Sequence, residues 1–172
     1  SAAARDRFLF EINISRPTDD AIRRQLIFDP AFHDVDQLLN TIGEPLLDYQ
    51  QLNALDHDIQ RSIFVSPEIE NYVVRLWDAS WTPHELGIEM PDIYVEDLVV
   101  AGASVRGMSA MVRAAKVAAW LDGRDHVLPD DIHTVLLPSM THRVFLSPVY
   151  EGRREQIMPQ FVRALRDHIA TP

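Results

Sequence analysis

Gly102-Ala103-Ser104-Val105-Arg106-Gly107, continuing through Met108-Ser109-Ala110-Met111-Val112-Arg113-Ala114-Ala115-Lys116, is the stretch on which the rest of the sequence turns. Ser104 is of the right type for an N-cap, since its hydroxyl can accept from a backbone N–H one turn on. Gly102 and Gly107 permit a bend and close packing at that point. The helix that Ser104 opens runs to about Leu121 and is rich in alanine, which favours helix and admits a close neighbour. Val105, Met108, Val112 and Ala115 recur at three- and four-residue steps, which predicts a core face. Arg106, Ser109, Arg113 and Lys116 fall at i, i+3, i+7 and i+10, so three cations share another side. Spacing leaves two readings open: a solvated charged face, or an anion site. In the second, Arg106 sits in the first turn, where the helix end favours negative charge and a guanidinium can grip a phosphate with two N–H groups.

The 172 residues are 47% hydrophobic, enough to bury a sizeable core. The absence of cysteine excludes disulfides and thiolate metal sites and fits a reducing compartment. No apolar run approaches the length of a membrane span and no signal-peptide pattern is present, so the expectation is a cytoplasmic protein with no membrane partner. A net charge of −10 opposes general nucleic-acid binding, which needs a basic surface. Lys116 is the only lysine, so no G-x-x-x-x-G-K-[ST] phosphate loop exists: Met108 follows the two glycines that have its spacing. No apolar run ending in Asp-Glu offers a magnesium ligand either. The sequence by itself is therefore expected to be inactive as an ATPase.

Working outward, Phe8-Leu9-Phe10-Glu11-Ile12-Asn13-Ile14 is aromatic and β-branched with polar alternation, and reads as a strand. Thr18, followed by Asp19 and Asp20, starts a helix that runs to Phe28 and is ended by Asp29-Pro30. Residues 30–44 suggest a short helix, and an amphipathic helix is expected from Pro45 to about Ile59. Ser66-Pro67-Glu68 caps and starts another, to about Ser80, burying Ile69, Tyr72, Val73 and Leu76. Residues 80–101 form a link too long for an ordinary connection; the aromatics before and within it, Trp77, Trp81 and Tyr94, are read as packing residues rather than a ligand platform. Pro129-Asp130-Asp131 opens a further helix that Pro138 should kink or end. A last helix, from Arg153 to about Ile169, sets Ile157, Phe161, Leu165 and Ile169 at four-residue steps.

Other chemistries find little support. The seven histidines form no ligand pair such as H-E-x-x-H, so no metal site is expected. Asp19-Asp20 and Asp130-Asp131 suit helix starts better than acid–base work. No serine lies in a nucleophile elbow. A helix-turn-helix read through Arg106, Arg113 and Lys116 is opposed by the acidity of the chain.

The motifs G-A-S-V-R, R-A-A-K at 113–116, G-R-D-H-V at 123–127, P-D-D-I at 129–132 and His142-Arg143 together resemble the lid of a MoxR-type AAA+ ATPase, with Val105 and Gly107 departing from the family's usual Pro and Ala. The resemblance extends from Asp6 to about His168. It implies a mainly α fold: a helical lid bundle over residues 17–172, preceded in 1–16 by the last strand of an αβα ATPase core. It further implies that Arg106 is the sensor-2 arginine reaching the nucleotide phosphates, with Ser104 and Arg113 as further candidate nucleotide-binding residues. Arg113 and Lys116 have a second reading, in which they face a neighbouring subunit or solvent. Arg7, in Asp6-Arg7-Phe8, corresponds on this resemblance to an arginine finger. The implied cofactors are ATP and Mg in the full-length protein, with none for this chain alone. The implied partners are the ATPase core of the same protein, neighbouring subunits in a ring, usually a hexamer, and a client complex activated or assembled with a von Willebrand factor A domain protein. The competing class is a stand-alone acidic helical module that binds a protein partner and no nucleotide.

Overall fold

The computed structural model describes residues 2–44 and 47–172. The chain divides into two compact units, one formed by residues up to Glu11 together with Leu55–Pro172, the other by Ile12–Ala54.

Helix α1 is the single turn Ala2–Arg5. In the smaller unit α2 spans Asp20–Phe28, and its N-cap is Asp19, whose carboxylate accepts from Ala21 N at 2.7 Å. The expected Thr18 cap is thus displaced by one residue, because the ionised side chain of Asp19 meets the helix end. A 3₁₀ turn at Pro30–Phe32 and α3, Val35–Asn40, follow where one short helix was anticipated. No residue of α2 or α3 is buried. Helix α4 spans Leu52–Ser62 after a 3₁₀ turn at Tyr49–Gln51; the anticipated start at Pro45 and Leu46 lies outside the described residues.

The larger unit is a helical bundle. Helix α5 is Pro67–Trp81, capped by Ser66 Oγ on Ile69 N, and it buries Ile69, Tyr72, Val73 and Leu76 as the periodicity predicts. Helix α6, Val105–Leu121, packs on α7, Pro129–Met140, which in turn packs on α9, Arg154–His168. A four-residue helix α8, Pro148–Glu151, precedes α9. Phe161, Leu165, Ile132, Leu136, Met111 and Tyr72 are among its largest fully buried side chains.

The buried face of α6 keeps Met108 and Ala115 of the row the spacing suggested, leaves Val112 half-buried, and is rotated away from Val105. Gly107, Met111, Ala115 and Ala119 form the inner row with Met108, whereas Val105 is exposed. Gly107, Ala115 and Ala119 let α7 approach closely along that row while Met111 fills the space between them, and this outweighs the alternative row led by a β-branched Val105. Gly123 ends α6 in the left-handed region at φ 73°, with Arg124 N on Ala119 O and Gly123 N on Trp120 O, the paired bonds of a Schellman motif. Helix α7 continues past Pro138 to Met140, so the proline falls in its last turn and does not end it.

The strand expected over residues 8–14 does not form: residues 10–19 carry no regular structure. A strand needs an edge to pair with, and among the described residues the one backbone N–H of residues 10–14 that bonds outside the segment is that of Glu11, to Pro138 O of α7 at 2.9 Å. Two strands lie elsewhere. Strand β1, Val99–Ala101, pairs antiparallel with β2, Phe145–Leu146, with Val99 opposite Leu146 and Ala101 opposite Phe145. The long link folds onto the bundle, burying Ile88, Met90, Ile93, Val95 and Leu98, while Tyr94 is 80% exposed and not a packing residue. The β1–β2 pair brings together the two segments that flank the candidate site, Gly102-Ala103-Ser104 after β1 and His142-Arg143 before β2.

Candidate functional site

The first turn of α6 is fixed from behind by α5. Ala103 O accepts from the indole N–H groups of Trp77, at 2.8 Å, and Trp81, at 2.9 Å, while Ala103 N donates to Ser80 Oγ. A Cβ at Gly102 would lie 2.5 Å from Trp81 Cδ1 and 2.8 Å from the Ser80 carbonyl carbon, so only glycine lets the loop pass. Trp77 and Trp81 are therefore structural clamps on the G-A-S loop, in keeping with their reading as packing residues.

Ser104 Oγ accepts from Gly107 N at 3.0 Å, as an N-cap should, and donates to the carboxylate of Asp6 at 2.8 Å. Its one proton and its capping lone pair are both committed. Arg106, two residues on, is exposed and makes no hydrogen bond or ion pair among the described residues. The first turn of α6 contributes no acid of its own, and the carboxylate at the helix start, Asp6, is taken up by Ser104 and Arg143, so Arg106 is left as an unpaired cation among the described residues. Such a guanidinium fits an anion delivered from outside, because it is engaged in no ion pair of its own.

The remaining cations of that side have other engagements. Arg113 Nη2 is paired with Asp56 of α4, and Lys116 Nζ donates to Gln60 O at 2.8 Å. Gln60 Nε2 returns a bond to Arg113 O at 3.2 Å. These contacts form a polar seam between α4 and α6, about two helical turns from Arg106 by helix rise. Arg7 is exposed and lies between Asp6 and Phe8, both of which are held by the bundle.

The groups that hold them were not assigned a role from sequence. Arg143 is 2% exposed; its Nη1 donates to Leu9 O at 3.0 Å and Ser139 O at 2.6 Å, and its Nη2 to Phe8 O and Asp6 O. Arg143 Nε lies 3.3 Å from Asp6 Oδ1. Burial pushes the guanidinium's pKa down and Asp6 pulls it back up, as expected of a desolvated ion pair. His142 Nε2 lies 2.9 Å from Phe8 O; a carbonyl only accepts, so Nε2 carries a proton, while the buried Nδ1 has no partner among the described residues. Burial, more than any neighbour, holds its pKa below the usual histidine value. Adjacent His142-Arg143 was visible as a motif, but a partner at Asp6, far away in sequence, was not.

The motifs at 123–132 have a structural explanation. Arg124 forks onto Asp131 with both Nη atoms at 2.6 Å, and Asp131 also accepts from Leu128 N at 2.8 Å. The pair closes the turn between α6 and α7, and Phe64 N and O bond to Asp125 O and Val127 N across it. Among the described residues no three His, Asp or Glu side chains converge as metal ligands, and no helix is long and apolar enough to cross a membrane.

Comparison with known proteins agrees with this architecture. The AAA lid domain family matches residues 93–161. The MoxR protein of Methylorubrum extorquens is 48% identical over 171 residues, covering 99% of this chain and 50% of that protein. The chaperone MoxR1 of Mycobacterium tuberculosis is 34% identical over 93% of this chain and 39% of its own length. The chain thus spans about half the length, or less, of these relatives. A crystal structure of a candidate ATPase from Cytophaga hutchinsonii superposes with a TM-score of 0.68 at 24% identity, over 95% of this chain and 48% of that one, which shows the shared fold.

Proposed function

We propose, for a chain that belongs with the lid regions of MoxR-type AAA+ ATPases, that its first turn of α6 is a sensor-2 element and that Arg106 meets the phosphates of a nucleotide held by the ATPase core of the same protein. The observation that carries the reading is the exposed Arg106 guanidinium, paired with no acid among the described residues, on a helix start pinned by Ser80, Trp77 and Trp81. ATP with Mg²⁺, bound in the full-length protein, supplies a phosphoryl group whose departure develops negative charge. Arg106 donates to that charge from a fixed position, so little reorganisation is needed when it appears. Ser104 sets the helix start and thereby the direction of Arg106. Arg113 lies in the α4–α6 seam, from which it serves the lid's own packing or a neighbouring subunit. Arg7 is offered across a subunit boundary as an arginine finger.

On this reading the lid follows nucleotide state in a ring, usually a hexamer, and couples hydrolysis to chaperone-like activation or assembly of a client complex in the cytoplasm, with a von Willebrand factor A domain protein as a partner. Amide hydrogen exchange on the full-length protein tests it. ATP, but not ADP, should slow exchange at Arg106 and Gly107 in the first turn of α6, and equal exchange with both nucleotides would favour a stand-alone acidic interaction module.

A further inference from the structure

We propose that Asp6, Arg143 and Ser104 form a buried lock that makes Arg7 and Arg106 move as one body, and that Arg143 is a positioning residue for both arginines. The inference rests on the nucleotide reading above and adds to it a physical link between its two cationic groups.

Three observations carry it. The Asp6 carboxylate is shared between the cap of α6, through Ser104 Oγ at 2.8 and 3.0 Å, and Arg143 Nε at 3.3 Å. Arg143 also gathers the carbonyls of Asp6, Phe8 and Leu9, so each residue flanking Arg7 is tied to the bundle while Arg7 itself stays exposed. His142 Nε2 adds a second donor to Phe8 O, and Glu11 N reaches Pro138 O. The fit at α6 is equally close: a Cβ at Gly107 would stand 2.3 Å from Arg143 Cδ.

A charged side chain with a 1% exposed surface is an expensive way to hold a loop, because the desolvation of the guanidinium must be offset by its partners. An apolar residue would pack the same volume. What the fork provides instead is direction: its Nη groups, fixed in one plane, hold the carbonyls of Asp6, Phe8 and Leu9, with the Asp6 carboxylate 3.3 Å from Nε. Arg7 is one residue from Asp6 and Arg106 is two residues from Ser104, so the shared carboxylate leaves little freedom between them. A tilt of α6 is passed to Arg7 through two hydrogen bonds and an ion pair, with no loop between to absorb it.

The test uses the full-length protein with Asp6→Asn, which keeps the shape and an acceptor for Ser104 but removes the charge that faces Arg143, and with Arg143→Lys, which keeps the charge but loses the fork. Native-state trypsin cleavage after Arg7 reports release of the strap, and both variants should be cut about tenfold faster or more if the lock holds it. Steady-state ATP hydrolysis then separates positioning from folding. Asp6→Asn should lower kcat by roughly tenfold or more, since small displacements of a charge-stabilising group are costly, with KM for ATP little changed. In an Arg7→Ala background the same substitution should cost less than about twofold, because the group it positions is already gone. A merely structural role predicts equal losses in both backgrounds, and that result, or an unchanged kcat, overturns the proposal. If Arg7→Ala alone leaves turnover unchanged, the arginine-finger assignment falls and takes the coupling with it, while the reading of Arg106 stands or falls on Arg106→Ala. The trypsin assay then states separately whether Asp6 and Arg143 lock the strap.

Discussion

Gly107→Ala sets two effects of opposite sign against each other. In an ordinary helix the change is favourable by roughly 0.5–1 kcal/mol, because glycine loses more backbone entropy on folding than alanine. Here the new methyl would stand 2.3 Å from Arg143 Cδ and 2.6 Å from its Nε. Arg143 cannot swing aside as a surface arginine would, since its Nη atoms hold the carbonyls of Leu9, Ser139, Phe8 and Asp6. Overpacking of this kind costs about 1–3 kcal/mol, and each charge-assisted bond stretched out of geometry adds about 1.5 kcal/mol or more. The clash wins by roughly 1–3 kcal/mol, which for a protein of this size lowers Tm by about 2–4 °C per kcal/mol. Urea unfolding followed by circular dichroism measures it. In an Arg143→Ala background the clash is absent, so the same substitution should turn stabilising by roughly 0.5–1 kcal/mol. A Gly107→Ala protein at least as stable as its parent, with Arg143 unchanged, would refute the reasoning.

Further outcomes follow from the same contacts. Gly102→Ala drives a methyl into Trp81 and the Ser80 backbone and should cost about 1–3 kcal/mol, read as a lower urea midpoint. Asp131→Asn removes the charge that Arg124 forks onto and weakens the acceptor for Leu128 N; faster amide exchange at Leu128 and Val127 should localise the damage to the turn between α6 and α7. His133 and His142 are both held neutral, first by burial, with Arg166 acting in the same sense on His133 and Arg143 on His142. The unfolded chain takes up protons near pH 6.5 that the folded chain refuses, so stability is full above that pH and declines as pH falls below it. Tm at pH 7.5 and 5.5 checks this, and His142→Gln should flatten the decline.

Much of the bundle was legible because its signals are local. Ser66 and Ser104 act as caps, Pro67 sits at a first helical position, and Ile157, Phe161 and Leu165 line the inner face of α9 at the spacing read from sequence. The misreadings have long-range causes. Phe8–Ile14 has strand composition but no edge to pair with, and which face of α6 is buried depends on how closely α7 can approach. Val105 and Val112 fitted the pattern as well as Gly107 and Met111 did. The two short strands were missed because Val99–Ala101 and Phe145–Leu146 define each other across more than forty residues. The same holds for the site: Arg106 could be singled out from its place in a first turn, whereas Arg143 depends on Asp6 at the other end of the chain.

Steady-state ATP hydrolysis by the full-length protein carrying Arg106→Ala, beside the parent and Arg113→Ala, bears most directly on the central claim. The account predicts a fall in kcat of about tenfold or more for Arg106→Ala, as for other arginines that stabilise phosphoryl-transfer charge, with the helical fold intact and a smaller change for Arg113→Ala. Unchanged turnover with Arg106→Ala would contradict it.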